Sequence, residues 1–210
     1  MLALLHTSPV HVPVFDALRD LDHPDLALLH RVDASLLDRA RVHGPRAVAD
    51  DIGAAVADAV AAGATAVLCT CSTIGGVAET VPAAVPVLRV DRPMAAAAAA
   101  ERRIVVVATV AGTVEPTVAL VRDEVAHGRS PDIRALLVED AWELFETGDR
   151  EGYLDVVAKA VDSVEDADVI LLAQASMADA AGRARTTIPV LSSPRPGLAA
   201  AAAAVADVRR

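Results

Sequence analysis

The second half of this chain repeats the first at a separation of 103 residues, and a duplication of that length leaves few folds open. Ala66-Val67-Leu68-Cys69-Thr70-Cys71 aligns with Val169-Ile170-Leu171-Leu172-Ala173-Gln174. The same separation relates Val85-Pro86-Val87-Leu88 to Ile188-Pro189-Val190-Leu191, and Pro13 to Pro116. Near it, Leu4-Leu5-His6-Thr7 matches Val106-Val107-Ala108-Thr109. Apolar runs predict strands at Leu2–His6, Leu26–Val32, Thr65–Thr70 and Val87–Val90, then at Ile104–Ala108, Ile133–Val138, Val169–Leu172 and Val190–Ser192. Apolar residues at helical spacing predict helices at Val12–Asp20, Pro45–Ala62, Val114–His127 and Tyr153–Val164. Strands alternating with helices imply an α/β fold of two pseudo-symmetric halves, Rossmann-like or flavodoxin-like, each a parallel sheet flanked by helices. Ligands of such sheets bind outside the carboxyl ends of the strands.

Two proline-marked segments, Asp91-Arg92-Pro93 and Ser193-Pro194-Arg195-Pro196, mark the crossovers between halves. Each leads into an Ala-rich stretch, Met94–Glu101 and Leu198–Val208. Alanine is the best helix former and packs closely, so these are read as structural helices, the last returning to cover the first half. The domains expected are 1–91 plus 194–210, and 92–193. Hydrophobic residues make up 54% of the chain but aromatic ones only 2%, so the core must be built from Ala, Val and Leu.

A net charge of −10, with no basic cluster interleaved with aromatics, argues against nucleic acid as a partner. Met1–Leu5 is apolar, but no basic segment precedes it and polar residues follow at once. It fits neither a signal peptide nor a membrane span, and the chain is expected to be cytoplasmic, without a membrane partner. Cys69 and Cys71 are too close along an extended strand to bridge readily. Cys-x-Cys alone does not make a metal site, and the six histidines show no ligand pattern beside it, so no metal is expected. The lone lysine, Lys159, falls on a polar predicted helix, with no evident place in a Schiff base.

The strongest chemical signal is Leu68-Cys69-Thr70-Cys71-Ser72-Thr73-Ile74-Gly75-Gly76, which sets a thiol where an apolar strand runs into a Gly-rich turn. Backbone N–H groups at such a turn activate a thiol or hold an anion. A free cysteine is as often a small buried hydrophobe, and Cys69, within the apolar run, is read that way. Alternation could put both thiols on one face. The counterpart segment has no thiol: Gln174 stands where Cys71 would be, and it is the only Gln in a chain without Asn. Short polar residues recur at equivalent strand ends, namely Thr7 and Ser8, Thr109 and Thr113, Ser72 and Thr73, and Ser176. Hydroxyls beside backbone N–H groups suit a carboxylate or a developing enediolate, although each is also an ordinary helix cap. His6, Asp33, Glu139, Asp140, Trp142 and Phe145 receive no catalytic assignment.

Cys71-Ser72-Thr73 after an apolar strand resembles the Cys-Asn-Thr motif of the aspartate/glutamate racemase superfamily, and Leu172-Ala173-Gln174-Ala175-Ser176-Met177 resembles its second motif, Leu-Gly-Cys-Thr. The duplication, the Ile-Pro-Val-Leu segments and Val32-Asp33-Ala34-Ser35-Leu36-Leu37 fit the same family. The resemblance implies a cofactor-independent enzyme, with the active site in the cleft between halves, that moves a proton at the carbon beside a carboxylate. It makes Cys71 the acid/base or nucleophile and sets Gln174 at the second thiol position. Thr7, Ser8, Ser72, Thr73, Thr109, Thr113, Ala175 and Ser176 would then position a small carboxylate substrate. An amide neither gives nor takes a proton near neutral pH. A one-thiol decarboxylase, a cis–trans isomerase of a small dicarboxylate, and a non-catalytic carboxylate binder therefore stand beside a two-base racemase. An Ala/Val-rich helix face suits a homodimer.

Overall fold

The computed structural model describes residues 1–208. The chain divides into two compact units: residues 1–90 together with the chain from Pro194 on, and Asp91–Ser193. Unit 1 runs β1 (Leu2–His6), a 3-10 turn at Pro9–His11, α1 (Val12–Asp22), β2 (Leu28–Val32) and α2 (Ser35–His43). It continues through a 3-10 turn at Pro45–Val48 to α3 (Ala49–Ala61), β3 (Ala66–Cys69), α4 (Ser72–Ala78) and β4 (Val87–Arg89). Unit 2 holds α5 (Arg92–Ala98), β5 (Arg103–Ala108), a 3-10 turn at Ala111–Thr113, α6 (Val114–Glu124), β6 (Asp132–Leu137) and α7 (Glu139–Glu146). After these come α8 (Arg150–Asp162), β7 (Val169–Leu172), a 3-10 segment Ala175–Gly182 and β8 (Val190–Ser192); α9 (Pro194–Val208) then belongs to unit 1.

Both sheets are wholly parallel and repeat one strand order, β2-β1-β3-β4 and β6-β5-β7-β8. The central strands β1, β3 and β7 are buried along their whole length, as is β5 after Arg103. A parallel strand covered on both faces reads as a continuous apolar run, which is why these four segments stand out in the sequence. Alternation then sorts their side chains. In unit 1, Leu2, Leu4, Ala66 and Leu68 pack with Phe15 of α1 and with Leu198, Ala201 and Val205 of α9. Ala3, Leu5, Val67 and Cys69 pack on the other face with α2, α3 and α4. In unit 2, Val105, Val107, Ile170 and Leu172 meet α7 and α8, while Ile104, Val169 and Leu171 meet α5 and α6.

The Ala-rich helices are structural, and each exchanges halves: α5 follows β4 but packs on β7 and β8, whereas α9 follows β8 but packs on β1 and β3. Small side chains allow the close approach. Gly197 lies so near the sheet that a Cβ there would stand 2.4 Å from the Val90 carbonyl oxygen.

Three helices absent from the predicted set, α2, α4 and α7, occupy segments that follow strand ends. They are seven to nine residues long, shorter than the stretch over which an apolar period is read along a chain. α2 is opened by Asp33, whose carboxylate accepts from the Ser35 N–H at 2.9 Å and its hydroxyl at 2.6 Å. The predicted helix 45–62 is split into a 3-10 turn and α3, and α6 stops at Glu124, before the expected His127. Among the described residues no helix is long and apolar enough to cross a membrane.

Candidate functional site

At the carboxyl edge of the unit 1 sheet, β3 leads through Thr70 into Cys71, whose extended backbone (φ −106°, ψ 117°) makes it the residue that enters α4. Its carbonyl accepts from the Gly75 N–H at 2.9 Å. Both thiols lie on the α2/α3/α4 side of the sheet, as strand alternation allows. Burial separates them: Cys69 is fully buried, its Sγ 3.7 Å from the Cys71 carbonyl oxygen, while Cys71 is half-buried.

The segment after Cys71 is not the Gly-rich turn that the sequence suggested. Gly75 and Gly76 lie inside α4, and the reason is Arg89. That side chain, nearly fully buried, projects from β4 at the register position opposite Cys69. Its guanidinium approaches the Ser72 carbonyl at 3.5 Å and runs across the two glycines. A Cβ on Gly75 would stand 3.0 Å from the Arg89 Cβ, and one on Gly76 3.2 Å from its terminal nitrogen. A buried guanidinium thus lies beneath the helix that Cys71 opens. The readable signal was an arginine closing the apolar run Val85–Leu88, together with a glycine pair.

Thr7 and Ser8 follow β1, Thr7 buried and Ser8 partly exposed, with Ser8 preceding the Pro9–His11 turn. Ser72, buried, and Thr73, partly exposed, open α4. These residues and Cys71 therefore share one sheet edge within unit 1.

In unit 2 the matching edge carries Gln174, buried and extended at the entry to the Ala175–Gly182 segment. Its side-chain oxygen accepts from the Thr109 N–H at 2.7 Å, and its amide nitrogen donates to the Thr109 hydroxyl at 2.8 Å. Gln174 therefore ties the end of β7 to the end of β5. The Thr109 hydroxyl is 3.5 Å from the Tyr153 hydroxyl, which lies 2.9 Å from that of Ser176. Burial pushes the Tyr153 phenol above its ordinary value, against its two hydroxyl partners, and keeps it neutral. Tyr153, read from sequence only as the start of a helix, is thus the link that joins Thr109 to Ser176.

Thr113 is brought to the same edge, but its hydroxyl donates to the Val110 carbonyl at 2.7 Å and closes the 3-10 turn. Ala175 is buried. Trp142 stacks on Phe145 at 4.8 Å, and Phe145 meets Tyr153 at 5.2 Å, so these aromatics join α7 to α8. Glu139 and Asp140 are exposed in the first turn of α7.

A cavity of about 670 Å³ opens at the opposite, amino end of the unit 2 sheet, lined by Arg102, Arg103, Arg129, Ser130, Asp132 and Asp168 among others. Arg103 pairs with Asp166 and Asp168, and Arg129 donates to the carbonyls of Ala99, Ala100 and Glu101. These cations are spent on structure, and the strand ends that bind ligands in parallel sheets lie at the other edge. Among the described residues, no group of three His, Cys, Asp or Glu side chains is placed to hold a metal ion.

No protein-family model and no curated protein matches the chain. Solved structures match it over almost its whole length. An aspartate racemase of Picrophilus torridus superposes with a TM-score of 0.73 at 14% identity, over 99% of this chain and 94% of that one. An allantoin racemase from Klebsiella pneumoniae gives 0.67 at 17% identity, over 99% and 88%. An arylmalonate decarboxylase gives 0.62 at 17% identity, over 98% and 92%. The chain has the fold of these racemases and of the decarboxylase, with the same doubling into two halves.

Proposed function

We propose that this chain is an enzyme of the aspartate/glutamate racemase superfamily that moves a proton at the carbon beside the carboxylate of a small acid, with Cys71 as the acid/base. The observation that carries this reading is the half-buried thiol at the carboxyl end of a central parallel strand, in a fold shared with racemases and a decarboxylase. Thr7, Ser8, Ser72 and Thr73, at the same sheet edge, are the groups assigned to the carboxylate. The chemistry calls on neither pyridoxal phosphate nor a metal; Lys159, the sole lysine, is exposed on α8.

The reaction is one-sided in this proposal. Gln174 occupies the second thiol position, and both ends of its amide are engaged by Thr109. It can neither take nor return a proton. A thiol that serves one face suffices for a decarboxylation, in which a single donor protonates the carbanion left after carbon dioxide departs, or for stereospecific α-proton exchange.

The test is incubation in deuterated water with amino acids, hydantoins and 2-substituted malonates, read by NMR at the α-carbon. The expected result is deuterium entering one face only, with loss of at least a hundredfold in rate for Cys71→Ala, the usual scale of a general acid/base. Rapid deuteration of both enantiomers, or exchange indifferent to Cys71→Ala, would overturn the assignment.

A further inference from the structure

Four side chains of unit 1 that the proposed reaction leaves unused form a single hydrogen-bonded line on the α1 side of the sheet. The Thr70 hydroxyl lies 2.8 Å from Nδ1 of His6; Nε2 of His6 lies 2.9 Å from Nδ1 of His30; Nε2 of His30 lies 3.2 Å from the Asp16 carboxylate. The line begins at the residue before Cys71 and climbs from full burial at His6 to a half-exposed carboxylate on α1. Neighbouring titratable and charged groups are His11 of the Pro9–His11 turn, its ring 6.5 Å from that of His6, and Arg19 of α1, 3.4 Å from the same Asp16 oxygen. Phe15 packs at 5.6 Å on the apolar side.

With the buried His6 kept neutral, donor and acceptor rules allow this line two complete patterns. A carboxylate only accepts, so His30 carries a proton on Nε2. One proton lies between His30 and His6, and the Thr70 hydroxyl has two acceptors in reach, Nδ1 of His6 and the Leu5 carbonyl at 3.2 Å. In the neutral pattern, Thr70 donates to His6, His6 donates through Nε2 to His30, and His30 donates to Asp16. When the line takes up one proton from water, His6 carries its hydrogen on Nδ1 and donates to Thr70. The Thr70 hydroxyl then turns to the Leu5 carbonyl, and His30 holds hydrogens on both nitrogens. The added charge rests on His30 beside Asp16, not on the buried His6.

We propose that Asp16, His30 and His6 are positioning residues for the strand end that bears Cys71, and that one proton taken up by this line reverses the Thr70 hydroxyl by changing the tautomer of a histidine that itself stays neutral. The proposal rests on the reading of Cys71 as the reacting thiol. Burial, with repulsion from His30 and His11, pushes His6 down to about 3, which agrees with the charge settling elsewhere.

The test uses the full chain labelled with ¹⁵N-histidine, followed by NMR from pH 8 to pH 4.5, with the alkylation rate of Cys71 measured over the same range. We expect the line to take up its proton and the His6 hydrogen to move from Nε2 to Nδ1 in the same step. Asp16→Asn should weaken that proton uptake about tenfold, moving both changes together. Cys71 alkylation, corrected for its thiolate fraction, should show a step in this interval that Thr70→Val removes and Thr70→Ser retains. A His6 tautomer that stays constant across this range, or an alkylation profile indifferent to Thr70→Val, would overturn the proposal. The two proposals fail separately: linked tautomer exchange without α-deuteration overturns the reaction alone, and α-deuteration without linked exchange overturns the line alone.

Discussion

Two thiols two residues apart on one face of a strand meet different fates because only one of them keeps contact with solvent. Cys69 is fully buried against the α3 side of the core, whereas Cys71 is half-buried at the strand end. Limiting iodoacetamide followed by peptide mapping should therefore label Cys71 at least tenfold faster than Cys69, as access dictates. Preferential labelling of Cys69 would refute this. The histidines make a second prediction. Burial holds His6 and His11 down to about 3 and about 4, from an ordinary 6.5. The unfolded chain therefore binds more protons than the folded one between pH 6.5 and about 4, and stability falls as pH falls through that window. The loss approaches about 1.4 kcal/mol per pH unit for each histidine. Urea midpoints at pH 7, 6 and 5 should decline in that order, and less steeply in His11→Gln. A midpoint constant from pH 7 to pH 5 would contradict the assignment.

The Ala-rich segments show what an element contributes beyond its own propensity. α9 would form from its alanines alone only marginally; what holds it is Leu198, Ala201 and Val205 buried against β1 and β3, with Gly197 letting the helix start flush against Val90. Gly197→Ala forces a Cβ to within 2.4 Å of a backbone oxygen that cannot give way as a flexible side chain would. Overpacking of this kind costs about 1–3 kcal/mol. Ala199→Ser, at an exposed position on the same helix, should cost under about 0.5 kcal/mol. Thermal midpoints of the two variants make the comparison, and equal values would show that α9 is not seated as described. The same reasoning explains α4, where two glycines inside a helix are tolerated because the Arg89 guanidinium occupies the space their side chains would fill.

At the scale of the whole molecule, the chain is a duplication whose two units differ in continuity. Unit 2 is a single stretch, Asp91–Ser193, and carries all of its own helices. Unit 1 needs α9 from the far end of the chain to cover Leu2, Leu4 and Leu68. A fragment of residues 91–193 should melt cooperatively by circular dichroism, whereas residues 1–90 should not until a peptide spanning 194–210 is added. A cooperative melt of 1–90 alone would refute this. Much of this architecture was legible in the linear chain, because burial on both faces of a parallel strand writes a continuous apolar run and a duplication writes it twice. The parallel sheets, the central strands and the position of Cys71 at a strand end all follow from that local signal. The partnerships do not. His6 meets His30 and Thr70 only because β1 lies between β2 and β3, with Leu4 opposite His30 and Leu5 opposite Cys69. Arg89 reaches Ser72 only because β4 pairs with β3, and Gln174 clamps Thr109 only because β7 pairs with β5. Hydrophobic periodicity is a property of neighbours along the chain, and the sequence by itself determined which segments are buried strands and helices. Strand order and register join residues as many as 65 positions apart, so only the tertiary structure decided which polar side chains share a proton.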